Sequence, residues 1–343
     1  MAIWTNQQVV LDSTPHGELR RSDFRLEEIA VPVPGEGEIL LETIYLSVDP
    51  YMRFWMRPEK SYNDQIKPGD LMVGATVSRV RRSRHQEWQE GEWVLAFSGW
   101  RRFALSDGKG LRRLNPDAAP PSTALGVLGM TGFTAYAGLR NIGRPQAGET
   151  VVVAAASGAV GSVVGQIARL RGARAVGITT GERKLAYVKD ELGFDAVVDH
   201  QAPDFAERLA QSLPKGTDVY FENVGGKIWN AVFPLLNTHA RIPVVGLISQ
   251  YESRSGETER SDRLPNMMAQ IMGKSLTLRG FIQTEFAADQ MPDFLSEATE
   301  WLATGQLRYR KHFVDGLEDA PDALIALMQG SNLGKMVVRV AES

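Results

Sequence analysis

Two rhythms of apolar and polar positions divide the chain. As far as about Arg113, apolar residues come in short clusters between Gly, Pro and Asp. Val9-Val10-Leu11 precedes a polar segment, Phe24–Ile29 alternates like a half-buried strand, and the Pro- and Gly-rich stretch from Val31 to Glu38 breaks the chain. Ile39–Leu46 alternates again, followed by Gly74–Val80, Trp93–Phe97 and Arg102–Leu105. Short strands this closely spaced predict a barrel-like or sandwich-like domain. Beyond Pro120-Pro121-Ser122 the rhythm changes. Ala124–Leu139 predicts a small-residue helix interrupted at Met130-Thr131-Gly132, and strands then alternate with helices. The strands are Val151–Ala154, Ala173–Ile178, Ala196–Asp199, Val219–Glu222 and Ile242–Leu247, with helical periodicity between them as in Phe205–Leu213. Such alternation predicts a doubly wound parallel sheet, so the fold class is α/β with a second, β-rich domain. Phe286–Leu302 reads as an amphipathic helix, His312–Val314 as a strand, Ala320–Gln329 as a helix and Lys335–Val340 as a final strand. This tail is expected to pair back with the first domain. The polar interval Glu252–Arg263 is expected to be a surface loop or lid.

One stretch dictates a ligand. Val151-Val152-Val153-Ala154 is a strand buried on both faces, followed at once by Ala155, Ala156, Ser157, Gly158, Ala159, Val160 and Gly161, then by a helix ending near Gly172. This is the dinucleotide-binding order. Ala155 stands where the usual fingerprint has its first glycine, Gly158 lets the backbone approach a pyrophosphate, Gly161 lets the helix pack on the strand, and the helix N-terminus offers N–H groups. Small residues also occur at helix–strand crossings that bind nothing, but the strand–turn–helix context favours the cofactor. After the second strand, an NAD site would place an acid for the ribose hydroxyls. Here stand Thr179, Thr180 and Gly181, then Glu182, Arg183 and Lys184. Two hydroxyls with nearby cations suit a 2′-phosphate and point to NADP(H). The plainer reading is a helix opening with a Thr cap and solvated charges.

Composition removes several alternatives. Hydrophobic residues make up 43% and charged residues 23%, as in an ordinary globular protein, and 343 residues leave room for two domains. A net charge of −3 supplies no general attraction to nucleic acid or membrane. The dense basic run Arg79–Arg84 fits a solvated hairpin end. Without cysteine there is no disulfide, thiolate nucleophile or Cys-ligated metal, and His16, His85, His200, His239 and His312 lack metal-ligand spacing, so no metal is expected. The opening residues do not form a signal peptide and no apolar run reaches the ~20 residues of a membrane span, so a cytoplasmic protein is expected.

Five strings remain: Val48-Asp49-Pro50-Tyr51-Met52-Arg53, Gly129–Tyr136, Ala155–Gln166, Glu222-Asn223-Val224-Gly225-Gly226 and Leu333-Gly334-Lys335. In this order they resemble the zinc-free branch of the medium-chain dehydrogenase/reductases. Within it, the resemblance is to NADPH-dependent alkenal/one and prostaglandin reductases, particularly bacterial curcumin reductase-like members, and it covers essentially the whole chain. It implies a Rossmann cofactor domain over residues 122–312 and a GroES-like, β-rich catalytic domain over 1–121 and 313–343. It also implies a homodimer joined through the cofactor domain and a small apolar enone or enal as substrate, reduced by hydride addition at the β-carbon. Carried over residue by residue, Gly158, Ala159, Val160 and Gly161 meet the pyrophosphate and Lys184 the 2′-phosphate. Asn223 lies along the nicotinamide ribose side. Val245, Gly246, Leu247, Ile248, Ser249, Gln250 and Tyr251, with Phe281, Ile282 and Gln283, line the nicotinamide end. Asn332 also contacts the cofactor. His200 stands where many relatives have Tyr, and could meet the adenosine moiety or be a plain surface histidine. Asn223 and Asn332 could equally make turns.

With no metal or cysteine, hydroxyls remain to stabilise a developing enolate, and Tyr51, Tyr251 and Tyr62 are the candidates. Each could instead be a packed aromatic, and Trp55 and Met56 beside Tyr51 could be pocket wall or core. A quinone oxidoreductase of the same fold and a non-catalytic NADPH-binding protein are the competing readings.

Overall fold

The computed structural model describes residues 5–58, 63–252 and 263–342. By contacts the chain divides into two units, Met1–Gly126 with Lys311–Ser343, and Val127–Arg310.

In the first unit, β1 (Asn6–Leu11) and β2 (Phe24–Ile29) form an antiparallel pair. There follow β3 (Ile39–Ser47), the short helix α1 (Tyr51–Trp55), β4 (Thr76–Ser83), β5 (Trp93–Ala96), β6 (Phe103–Ser106) and β7 (Arg112–Leu114). β3 was expected to alternate but is buried along nearly its whole length. The reason is that different clusters cover it, Leu46 packing with Val9 and Trp100, and Ile39 and Leu41 with Val80 and Val94. The acid this buries, Glu42, is matched by Arg81 and, at 3.2 Å, by Arg102. α1 and β7 are too short to show periodicity in the sequence.

A 3-10 turn at Pro121–Leu125 ends the first unit's opening segment, and in the second unit α2 (Met130–Gly138) starts at the Met-Thr-Gly triplet rather than being interrupted by it. A π-type turn, Leu139–Gly143, extends α2. Then come β8 (Thr150–Ala154), α3 (Gly161–Leu170), β9 (Arg174–Thr179), α4 (Glu182–Ala186), β10 (Ala196–Asp199), α5 (Phe205–Ser212), β11 (Thr217–Phe221), α6 (Gly226–Val232), β12 (Leu236–Val244), α7 (Leu264–Lys274), β13 (Thr277–Gly280) and α8 (Thr284–Ala303). β12 begins earlier and stops three residues sooner than the hydrophobic run, so Val245–Leu247 belong to the loop after it. All pairings are parallel, in the order β10-β9-β8-β11-β12-β13. The polar four-residue edge strand β13 has no signature in the sequence. Val152, Val176, Tyr220 and Ile242 from successive strands pack with Leu209 of α5 in one core.

The chain closes in the first unit with β14 (Lys311–Asp315), α9 (Ala320–Met328) and β15 (Lys335–Arg339). β15 lies antiparallel to β3 and parallel to β14, so the tail pairs back with the opening strands as expected, in directions the sequence did not specify. Val9, Met52, Trp55, Trp100, Leu324 and Met336 share that unit's main core. Among the described residues no helix is long and apolar enough to cross a membrane.

Candidate functional site

The strand order reverses between β8 and β11, and in such sheets the ligand groove opens at the C-terminal strand ends at that reversal. Two loops meet there. After β8, Ala155 takes a left-handed φ of 51°, the conformation for which glycine is usual, at a cost of roughly 1–2 kcal/mol. The turn then presents Gly158, Ala159 and Val160 half-exposed, while Gly161 is buried at the start of α3. A Cβ on Gly161 would lie 2.4 Å from the Ala155 carbonyl oxygen, so only glycine permits this approach. Further along α3, Gly165 faces Phe194, whose ring a Cβ would meet at 1.9 Å. The N-cap residue Val160 has no capping side chain, which leaves the positive end of α3 without an oxygen of its own cap residue.

The second loop begins at Glu222, which is fully buried. Its carboxylate accepts the Tyr220 hydroxyl at 2.7 Å and the Gly225 N–H at 2.9 Å, folding the loop back on itself. Burial pushes the Glu222 carboxyl up, against the pull of these donors. Asn223 then donates from Nδ2 to the Ala154 carbonyl at 2.8 Å, tying the β11 loop to the end of β8 across the reversal. Its backbone oxygen accepts the Ile248 N–H at 3.3 Å, and Val224 O accepts both the N–H and the hydroxyl of Ser249. Val245–Tyr251 is thereby fastened to the Asn223 loop. Tyr251 folds back so that its phenol oxygen accepts the Leu247 N–H at 3.2 Å. Phe281, after β13, directs its ring to Gly138 of α2 and stacks obliquely on Phe286, 5.9 Å between centroids. Ile282 is 37% exposed, and Gln283 is the N-cap residue of α8.

The ends of β9 and β10 form a third group. Thr179 is buried, its hydroxyl 2.8 Å from that of Ser157, so it joins the strand to the glycine turn. Thr180 does not cap α4; Gly181 does, and the Thr180 hydroxyl bonds the Asp199 carboxylate. Asp199 also accepts the N–H groups of Gly181 and Gln201, at 3.2 and 2.8 Å. Burial holds the Lys184 ammonium below the ordinary lysine value. Burial also lowers His200, opposed by Asp199 and reinforced by Lys227 and Lys184. Lys227, from the first turn of α6, sits 5.7 Å from the Phe205 ring, and His200 meets the same ring edge-on at 6.5 Å. Asp199 and Lys227 belong to this group of side chains and were not singled out in the sequence. The signal for Lys227 was its position directly after the glycine pair of the Asn223 string.

In the first unit, Tyr51 opens α1 half-exposed, its ring 4.4 Å from that of Trp55. Trp55 and Met56 are buried in that unit's main core. Asn332 is buried and donates to Gly334 O at 2.7 Å, shaping the turn into β15. Tyr62, and residues 253–262 of the polar interval, lie outside the described residues.

The residues at the reversal fit a dinucleotide. A tight turn too close for side chains leads into a helix N-terminus without a capping side chain, and nearby the charges of Lys184 and Lys227 both act on His200. Among the described residues no group of three His, Asp or Glu side chains could hold a metal.

Two family profiles match, one described as the N-terminal domain of oxidoreductase over residues 7–114 and one as zinc-binding dehydrogenase over residues 159–300. The chain belongs to the medium-chain dehydrogenase/reductase family. Within that family its similarity is to curcumin and prostaglandin reductases. It is 50% identical to NADPH-dependent curcumin reductase of Escherichia coli, covering 98% of this chain and 97% of the relative. It is 40% identical to prostaglandin reductase 1 of Rattus norvegicus over 93% and 94% of the two chains. The crystal structure of CurA in complex with NADPH from Vibrio vulnificus matches with a TM-score of 0.95 and 50% identity, covering 98% of this chain and 100% of that one.

Proposed function

We propose that the protein is an NADPH-dependent reductase of the C=C bond of α,β-unsaturated ketones and aldehydes. The observation that carries the reading is the paired loop at the strand reversal, where Asn223 is bonded to Ala154 beside the Gly158–Gly161 turn. The similarity to proteins named curcumin reductase and prostaglandin reductase supports the same reading.

In this reading Gly158, Ala159, Val160 and Gly161 receive the pyrophosphate, and Lys184, with His200 and Lys227, receives the 2′-phosphate. Thr179 and Thr180 hold that end in shape through Ser157 and Asp199. Asn223, Asn332 and Val245–Tyr251, with Phe281, Ile282 and Gln283, border the nicotinamide half. NADPH, when bound, supplies hydride to the β-carbon. Negative charge then develops on the substrate oxygen, and a phenol aimed there stabilises the transition state more than the ground state. Tyr51 and Tyr251 are the assigned donors. Tyr251 is held in place for the task, because its oxygen accepts the Leu247 N–H. A proton from solvent completes the α-carbon.

The test is product analysis with deuterium-labelled NADPH and an aryl enone. Deuterium at the β-carbon of a saturated ketone is expected; deuterium at the carbonyl carbon of an alcohol, or turnover on quinones alone, would overturn the reading. Phe variants of Tyr51 and Tyr251 are expected to lose about tenfold to a thousandfold in kcat while binding NADPH normally. An effect confined to KM would make the rings walls rather than donors.

A homodimer through the cofactor unit is part of the proposal. β13 is an edge strand, and α7 beside it exposes Leu264, Met268 and Met272 on one face, at 57%, 54% and 81%. Sedimentation should give about twice 37.8 kDa. A monomer at micromolar concentration would refute it.

A further inference from the structure

A buried ion pair lies where neither the cofactor nor the substrate reading uses it. Lys335, the first residue of β15, is 4% exposed, and Asp49, between β3 and α1, is 3% exposed. The ammonium donates to Val48 O at 2.7 Å and Met336 O at 2.8 Å, and stands 3.1 Å from Asp49 Oδ1. Three acceptors meet three N–H bonds. The other Asp49 oxygen accepts the Ser47 hydroxyl. The aliphatic stem is enclosed too, since a Cβ on Gly126 would lie 3.3 Å from Lys335 Cγ.

Charges in such a place are a poor source of stability, because removing both from water costs about as much as their attraction returns. What they fix is geometry. Two of the three acceptors, Val48 O and Asp49 Oδ1, belong to the residues immediately before Pro50-Tyr51. Asp49 also starts α1, its carbonyl accepting the Met52 N–H at 3.2 Å. A five-residue helix cannot hold its own direction and depends on anchors outside itself. Arg53 is one, buried and donating to Gly17 O at 2.8 Å. Lys335 is the anchor at the end that carries Tyr51.

We propose that Lys335 is a positioning residue for the reduction: its ammonium locks the Val48-Asp49-Pro50 turn and thereby aims the Tyr51 phenol at the substrate carbonyl. The proposal rests on the reading of Tyr51 as a donor. It differs from a plain core staple in predicting that Lys335 acts through one hydroxyl.

The test uses the full-length protein with NADPH and benzylideneacetone, and compares Lys335→Met, Tyr51→Phe, the two combined, and Asp49→Asn with Lys335→Met. Lys335→Met is expected to lower kcat about tenfold to a hundredfold, with the NADPH Kd within about twofold of the parent. In the Tyr51→Phe background the same change should cost less than about twofold, because the group being aimed is gone. Asp49→Asn with Lys335→Met leaves no uncompensated buried charge, so it should unfold near the parental temperature yet keep the kcat defect. This pair carries the test if Lys335→Met alone does not fold. Multiplicative losses from Tyr51→Phe and Lys335→Met, or parental kcat in the Asn/Met pair, would overturn the proposal while leaving Tyr51 as donor. An unchanged kcat in Tyr51→Phe would overturn the donor reading and the proposal with it.

Discussion

Two glycines of the β8–α3 turn can be separated by a single methyl group each. In Gly161→Ala the new Cβ would sit 2.4 Å from the Ala155 oxygen, 2.9 Å from its carbon and 3.0 Å from Ala156 Cα, all of them backbone atoms. Ordinary contact begins at 3.4 Å, so the start of α3 must retreat by about 1 Å or the Ala155 peptide must rotate. Ala155 already sits in the left-handed region and has little room to yield. Overpacking of this kind costs about 1–3 kcal/mol, which for a chain of this size lowers Tm by roughly 1–4 °C. The same retreat withdraws the helix N-terminus from a bound phosphate, and losing one charge-assisted hydrogen bond of about 1.5–3 kcal/mol weakens NADPH at least about tenfold. Gly158→Ala is different. Its nearest atom is a single one, the Ala155 oxygen at 3.2 Å, and its φ lies outside the left-handed region. The fold should accept it with Tm within about 1 °C, while the methyl group occupies the path of the pyrophosphate and weakens NADPH about tenfold. Thermal unfolding without cofactor, which removes ligand stabilisation from the comparison, and fluorescence titration with NADPH measure the two quantities. Parental Tm in Gly161→Ala would refute the steric argument. Parental NADPH affinity in Gly158→Ala would refute the assignment of the turn to the pyrophosphate.

Three further outcomes follow from charge. Lys184→Ala and Lys227→Ala should each reduce the preference for NADPH over NADH, measured as a ratio of kcat/KM, by about tenfold where the contact is charge-assisted; an unchanged ratio in both would remove the 2′-phosphate from this end. His200 is held below its ordinary value by burial and by Lys227 and Lys184, and a bound phosphate would raise it. NADPH affinity should therefore fall as pH rises through that window more steeply in the parent than in His200→Gln, and parallel pH profiles would place His200 away from the phosphate. Lys311 is lowered to about 8 by burial, while its ammonium donates to Ser122 at 2.6 Å. Its folded value lies below the unfolded one, so the cost of keeping it charged is full below about pH 8 and disappears as pH rises toward the unfolded lysine value. The Tm difference of Lys311→Met from the parent should accordingly be more favourable at pH 7 than at pH 9.5, and the reverse order would contradict the sign.

The sequence by itself determined the elements whose pattern is local. The β-branched run Val151–Val153, the small residues after it and the helix beyond are contiguous, so their order already specifies strand, turn and helix. The alternation of strands and helices likewise predicts a parallel sheet, and strings such as Val48–Arg53 and Glu222–Gly226 carry the family. Tertiary structure alone decided what depends on residues far apart in the chain. That Asn223 reaches Ala154, that Lys227 joins His200 around Phe205, that the Tyr251 phenol returns to Leu247 and that Lys335 neutralises Asp49 are matters of which strand ends become neighbours. The same cause hid the burial of both faces of β3 and the edge strand β13, since a residue's exposure is set by what the sheet order lays against it. Periodicity records how a segment faces its surroundings, and carries no information about which distant segment supplies them.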